Sequence, residues 1–212
     1  MSSADVERKT LVEIGRRLWL KGYVAANDGN LSVRLGDDNI LVTPTGVSKG
    51  FLDPSGLVVV SGRGEVVEGE LEPTSELGLH LAAYETRPDV RAVVHAHPPA
   101  ATAYAVSGIP LETCFLPELI VLLGEVPTAP YGTPSTEELV VAVSPYLARH
   151  DAVLLENHGV ATLGTDIESA YFRMETVEHA AEIALRARAL GGPNTLSAER
   201  VAQLKRLFKD RE

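Results

Sequence analysis

Apolar residues recur at helical spacing over residues 6–20 (Val6, Leu11, Ile14, Leu18), and the pattern stops at Lys21-Gly22, the composition of a C-cap. The period then shortens. Residues 31–35 and 40–43 flank Gly36-Asp37-Asp38-Asn39, and residues 57–60 and 65–68 flank Ser61-Gly62-Arg63-Gly64, so two hairpins are predicted. A helix is predicted over 75–84 with Thr74 or Ser75 as its N-cap, followed by a β-branched run, Arg91-Ala92-Val93-Val94, that reads as a buried strand. A short helix near 99–106 follows, and residues 110–124 fit strand and helix equally well. Residues 135–150 form a helix whose start, Pro134-Ser135-Thr136-Glu137-Glu138, combines a cap with first-turn acids. Strands at 152–155 and 159–163, a long helix at 167–190 ended by Gly191-Gly192-Pro193, and a last helix at 197–208 complete the pattern. With no repeat and no linker, residues 1–212 are expected to form one layered α/β domain.

Composition narrows the class. At 212 residues the chain can bury a full core, and 45% hydrophobic with 23% charged residues is ordinary for a globular protein. A formal charge of −10 argues against nucleic acid or an anionic membrane as the main partner. Basic residues gather near the C-terminus (Arg186, Arg188, Arg200, Lys205, Arg206, Lys209), but interleaved acids make that a solvated helix face. The single cysteine, Cys114, excludes an intrachain disulfide and a multi-cysteine zinc site. The opening residues lack an apolar signal segment and no stretch approaches a membrane span, so a soluble cytoplasmic protein is expected.

The chemistry begins at His95-Ala96-His97, which closes the buried strand. Side chains two apart share a strand face, so the imidazoles can grip one ion as a preformed pair, although two unrelated histidines would give the same spacing. A third histidine, His158, follows the apolar run 152–155 in Glu156-Asn157-His158-Gly159. Three histidines at strand ends with a fourth position open is the pattern of a catalytic zinc site. His80 stands four residues after Glu76, a helical pair suited either to metal or to a surface hydrogen bond. His150 is expected at a helix end and His179 in a polar stripe, both with structural roles.

Glu72-Pro73-Thr74-Ser75-Glu76 reads as good helix capping, and its free backbone N–H groups and hydroxyls also suit a phosphate. Two loops, Asp28-Gly29-Asn30-Leu31-Ser32 and Thr43-Pro44-Thr45-Gly46-Val47-Ser48-Lys49-Gly50, are ordinary turns that can equally expose anion-binding amides; neither has P-loop spacing.

Together, Gly29-Asn30-Leu31-Ser32-Val33-Arg34, Thr43-Pro44-Thr45-Gly46, Glu72-Pro73-Thr74-Ser75-Glu76, His95-Ala96-His97 and Asn157-His158-Gly159 resemble, in order, the motifs of the class II aldolase/adducin family over residues 11–190. The resemblance implies a three-layer α/β domain with a central, largely antiparallel sheet and helices on both faces. It implies that His95, His97 and His158 ligate Zn²⁺ (Mn²⁺ or Co²⁺ as substitutes), and that Glu76 ligates the resting metal and serves as acid/base with substrate bound. Asn30, Thr45, Gly46, Thr74 and Ser75 match the phosphate-binding positions, with Asn27 as a weaker match. The implied activity is that of a lyase: retro-aldol cleavage of a ketose 1-phosphate, such as L-fuculose 1-phosphate or a deoxy relative, to dihydroxyacetone phosphate and an aldehyde through a metal-bound enediolate. Such chemistry needs no Schiff-base lysine, in keeping with only Lys9, Lys21 and Lys49 before the C-terminal helix. Cyclic homotetramers with intersubunit active sites are also implied.

The chain departs from the family pattern on the aldehyde side. Where fuculose-phosphate aldolases carry a tyrosine after Ile-Pro, this chain offers Cys114 or Phe115, and its tail offers Phe208; Tyr131 is a further candidate donor. Rival readings on the same scaffold are a sugar-phosphate 4-epimerase, a 3-oxo-tetronate-phosphate decarboxylase, a methylthioribulose-phosphate dehydratase and, outside enzymes, an adducin-like interaction module. Glu76, where epimerases carry aspartate, and the intact histidine set favour the aldolase.

Overall fold

The structure, a computed structural model, describes residues 3–36 and 38–208. Its centre is an eight-stranded sheet built from β1 (Asn30–Arg34), β2 (Asn39–Val42), β3 (Val58–Ser61), β4 (Val66–Glu68), β5 (Ala92–Ala96), β6 (Thr128–Ala129), β7 (Ala152–Leu155) and β8 (Gly159–Gly164), in the order β4-β3-β2-β1-β5-β8-β7-β6. All pairings are antiparallel except β6 with β7. The sheet is thus largely antiparallel, as expected. Of the first predicted turn, Asp37 lies outside the described residues.

Helices cover both faces. Alternation along β5 sends Ala92, Val94 and Ala96 into a core formed with α1 (Ser3–Leu20), α3 (Pro99–Ser107), α4 (Pro117–Leu122) and α6 (Ile167–Ala189). Val93 faces the opposite core, where α2 (Leu77–Thr86) and α5 (Glu137–Leu147) supply Leu79, Ala82, Ala83, Val143 and Leu147. The result is a three-layer α/β architecture. A final helix, α7 (Ala198–Phe208), packs against α4.

Three local readings change. The open stretch 110–124 is irregular apart from α4, whose start is set by Pro117 in its first turn. The predicted helix at 75–84 begins two residues later, because the Leu77 N–H bonds the Thr74 carbonyl in a turn and Glu76 becomes the N-cap. The predicted helix at 135–150 contracts to α5: Ser135 takes a left-handed φ of +64°, and the helix stops before His150. The pair Thr128–Ala129 was too short to show a strand period.

Candidate metal and anion site

The site lies where β5 ends on the α2 face of the sheet. His95 pairs with Asn30 of β1 on one side and with Ala161 of β8 on the other, and strand alternation places its ring on the same face as Val93, toward α2. His158 belongs to the three-residue turn joining β7 to β8. Asn157 takes φ +56°, and the His158 N–H closes the turn on the Leu155 carbonyl at 3.0 Å. Only glycine fits next: a Cβ at Gly159 would lie 2.4 Å from His97 Cδ2 and 2.6 Å from the Ala96 carbonyl oxygen.

Three imidazoles converge as a result. One ring nitrogen from each of His95, His97 and His158 lies within 4.8 Å of the others. His95 Nε2 and His97 Nε2 are 3.1 Å apart. The Glu76 carboxylate closes the group, with Oε2 3.1 Å from His95 Nε2 and Oε1 3.3 Å from His158 Nε2.

This donor set fits a divalent ion. The His95 Nδ1–H donates to the Val160 carbonyl at 2.9 Å, so a neutral ring presents the Nε2 lone pair to the cluster. Two imidazole nitrogens face one another at a separation that needs a proton or cation between them. Glu76 Oε1 is a buried atom with no hydrogen-bond partner, which is costly without a further ligand. Three imidazole nitrogens and one carboxylate suit a borderline divalent ion.

Electrostatics favour ligand-ready states. Burial first, and the neighbouring His95 second, push His97 and His158 down to about 4, so both are neutral near pH 7. Burial also opposes charge on His95, yet the facing Glu76 carboxylate raises it. Burial raises Glu76, but His95, His158 and the Asn30 amide outweigh it and hold the carboxyl well below its usual range.

Behind Glu76 runs a fully buried polar chain. Asn30 Nδ2 donates to Glu76 Oε2 at 2.9 Å, and Asn30 Oδ1 lies 2.6 Å from His80 Nε2. An amide oxygen only accepts, so His80 carries its proton on Nε2 and accepts at Nδ1 from the Ser32 hydroxyl at 2.7 Å. Tyr84 OH lies 2.7 Å from the same Ser32 oxygen and donates to it. Burial pushes His80 down to about 3, which keeps the ring neutral. His80 is thus an interior residue that reaches Glu76 through Asn30, and the surface-pair alternative for it is corrected. Its four-residue spacing from Glu76 was the available signal.

A cleft of about 230 Å³ opens beside the cluster, lined by Glu76, His97 and His158 together with Asn30, Thr45, Gly46, Thr74 and Ser75. The two turns are stitched by backbone bonds: Thr45 N–H to the Glu72 carbonyl and Thr74 N–H to the Thr43 carbonyl, each at 3.0 Å. Thr45, Gly46 and Ser75 are exposed to the cleft, whereas Thr74 is buried and its hydroxyl accepts from the Glu76 N–H at 3.3 Å. Asn30 is buried and spends its amide on Glu76 and His80. The residues singled out in the sequence for metal and for phosphate are therefore together. The cleft also takes Lys49, Pro134 and Ser135, the last two of which show only a helix start in the sequence.

The aldehyde-side candidates lie elsewhere. Tyr131 is half exposed with its N–H on the Glu156 carboxylate, Cys114 lines a separate hollow with Leu196, Phe115 packs on the core and Phe208 ends α7. The hydroxyls lining the cleft are those of Thr45, Thr74, Ser75 and Ser135.

Residues 9–185 match the family described as Class II Aldolase and Adducin N-terminal domain. The chain belongs to the class II aldolase/adducin family. Among family members it is 33% identical over 187 residues to the 3-oxo-tetronate 4-phosphate decarboxylase of Pectobacterium atrosepticum, covering 86% of this chain and 85% of that protein. It is 34% identical over 178 residues to the L-fuculose phosphate aldolase of Methanococcus vannielii, covering 84% and 95%. A solved L-fuculose 1-phosphate aldolase superposes with a TM-score of 0.90 at 33% identity, over 99% of this chain and 98% of that one. The family fold is common ground, and the first two relatives carry different activities, one a decarboxylase and the other an aldolase.

Proposed function

We propose that the chain is a metal-dependent lyase that cleaves a ketose 1-phosphate to dihydroxyacetone phosphate and an aldehyde. The observation carrying this reading is that Glu76 and three imidazole nitrogens converge within one cleft shared with the Thr45-Gly46 and Thr74-Ser75 turns. His95, His97 and His158 would hold the ion through Nε2, with Glu76 as a further ligand before substrate enters; Zn²⁺ is the proposed metal, with Mn²⁺ or Co²⁺ as substitutes. Such an ion supplies Lewis acidity to the negative charge that develops next to a carbonyl when a C–C bond breaks.

The chain's own residues do the rest. Thr45, Gly46, Thr74 and Ser75 bind the phosphate and fix the register of the substrate, so binding energy at a distance becomes orientation. Asn30, held by His80, aims the carboxylate of Glu76. Glu76, once it has taken up a proton, would give it from Oε1 to the carbon left electron-rich by cleavage, and as the carboxylate would remove it in the reverse direction. We further propose that residues 1–212 act as one domain and that the far side of the cleft is completed by a neighbouring subunit of a cyclic homotetramer.

A second reading is decarboxylation of a phosphorylated 3-oxo acid. It draws support from the similarity to the Pectobacterium atrosepticum decarboxylase and from the cleft lining. Aldol cleavage must take the hydroxyl proton of the departing aldehyde, and among the described residues no phenol lines the cleft; loss of CO₂ needs no such group. Metal-replete protein is expected to release dihydroxyacetone phosphate from L-fuculose 1-phosphate or a 5-deoxyribulose 1-phosphate in a coupled reductase assay. Release of CO₂ from a 3-oxo-tetronate 4-phosphate instead would select the second reading, and turnover of neither class would overturn both.

A further inference from the structure

Lys49 is the one lysine or arginine among the described residues that line the cleft, and its side chain is buried, with only 1% of the residue exposed. Buried lysines normally meet a carboxylate. This ammonium instead donates to two backbone carbonyls, that of Asn27 at 3.0 Å and that of Val47. Those two account for two of its three N–H bonds, and among the described residues no third acceptor takes the remaining one. Asp28 is the charged group that faces it, without a hydrogen bond.

Its placement is rigid. Lys49 opens the 3-10 turn Lys49–Phe51, and α1 backs that turn so closely that a Cβ on Gly15 would lie 2.9 Å from the Lys49 carbonyl oxygen. The two carbonyls it grips belong to the turns that precede β1 and follow Gly46, so one ammonium ties together both loops that border the cleft. The cleft itself carries carboxylates at Asp28 and Glu76, a poor setting for a dianion without a compensating cation.

We propose that Lys49 is the cation of the anion subsite, fixed by the Asn27 and Val47 carbonyls and donating its third N–H to the phosphate monoester held by Thr45, Gly46 and Ser75. Burial pushes its ammonium down to about 8, the direction expected for a charge awaiting an anionic partner. The proposal rests on the phosphorylated-substrate reading above and adds the residue that neutralises the dianion. It also assigns the lysine a job beyond holding loops together: a staple alone would be indifferent to the ligand.

Inorganic phosphate titrated into metal-replete protein by calorimetry tests the assignment, with Lys49→Met and Lys49→Arg beside the wild type. Lys49→Met is expected to weaken phosphate by at least about tenfold, the loss expected for one charge-assisted hydrogen bond, with metal content unchanged and Lys49→Arg recovering part of the affinity. Phosphate affinity unchanged in a folded Lys49→Met protein overturns the role of Lys49 and leaves the phosphate reading standing. Wild-type protein without saturable phosphate binding overturns that reading and the assignment with it. If Lys49→Met does not fold, the wild type still decides: lysine labelled at Cε should show one resonance, Lys49, whose titration midpoint rises by more than about one unit on phosphate saturation. An unmoved midpoint overturns the proposal.

Discussion

The two walls of the cleft are built on different principles. The histidine wall, with Glu76, is built around His95, which is buried, held by strand register with a sheet neighbour on each side, and bonded to the Val160 carbonyl. The opposite wall is made of turns, residues 43–46 and 72–75, joined by a few backbone bonds, with Lys49 gripping the carbonyls of Asn27 and Val47 beside them. Its hydroxyls at Thr45 and Ser75 face open space. A wall of strands fixes ligand atoms to fractions of an ångström, as metal chemistry requires. A wall of turns offers amides and hydroxyls to an anion and tolerates substitution. The difference predicts that changes on the first wall abolish reactivity, whereas changes on the second tune substrate affinity.

The largest effects therefore belong to the histidine wall. His95→Ala and His97→Ala are each expected to lose stoichiometric metal and to lower turnover by about a thousandfold or more, measured by elemental analysis and steady-state kinetics. Retention of one ion per chain in the double variant would remove His95 and His97 from the ligand set. Glu76→Gln should keep fold and metal while kcat drops by roughly 10²–10⁴, the range for loss of a positioned acid/base. Normal kcat in that variant would leave Glu76 with a ligand role only.

His80 sharpens the comparison because it acts one step back. His80→Ala leaves Asn30 Oδ1 and the Ser32 hydroxyl without their partner in the interior, a cost of about 2–5 kcal/mol in chemical denaturation. Its titration carries a pH signature. The folded ring, near 3, stays neutral where the unfolded ring, near 6.5, takes up a proton, so the unfolded state binds more protons between those values. This stabilisation is complete above pH 6.5 and is lost as pH falls through the window toward 3. Denaturation midpoints of the metal-free protein should fall over that range, and the slope should flatten in His80→Ala.

The turn wall should respond more gently. Ser75→Ala is expected to raise KM for a phosphorylated substrate several-fold, by the worth of one hydrogen bond, with kcat and metal content nearly constant. A kcat effect as large as that of Glu76→Gln would erase the distinction between the walls. The smallest effect expected is at Ser135, whose φ of +64° strains any side chain: Ser135→Gly should raise stability by roughly 1 kcal/mol in thermal unfolding.

What was legible in the sequence follows the same division. Strand period and the two-residue spacing of His95 and His97 are local facts, and so is the apolar run ahead of His158; each survives folding unchanged. Glu76 was legible as an acid at a helix start, but its exchange of a helical position for the N-cap depends on a turn between Thr74 and Leu77. The chain from Tyr84 through Ser32 and His80 to Asn30 joins residues about 50 positions apart and has no sequence period. Lys49 and Ser135 share that limit: a lysine in a loop reads as solvated, and a serine before a helix reads as a cap. Burial and backbone conformation, which tertiary packing decides, give both their meaning.

Anomalous diffraction at the zinc edge from crystals of the zinc-loaded protein tests the central claim most directly. One peak per chain is predicted, about 2.0–2.1 Å from Nε2 of each of His95, His97 and His158. A peak bound through other atoms, or a histidine cluster left empty while zinc binds elsewhere, would contradict it.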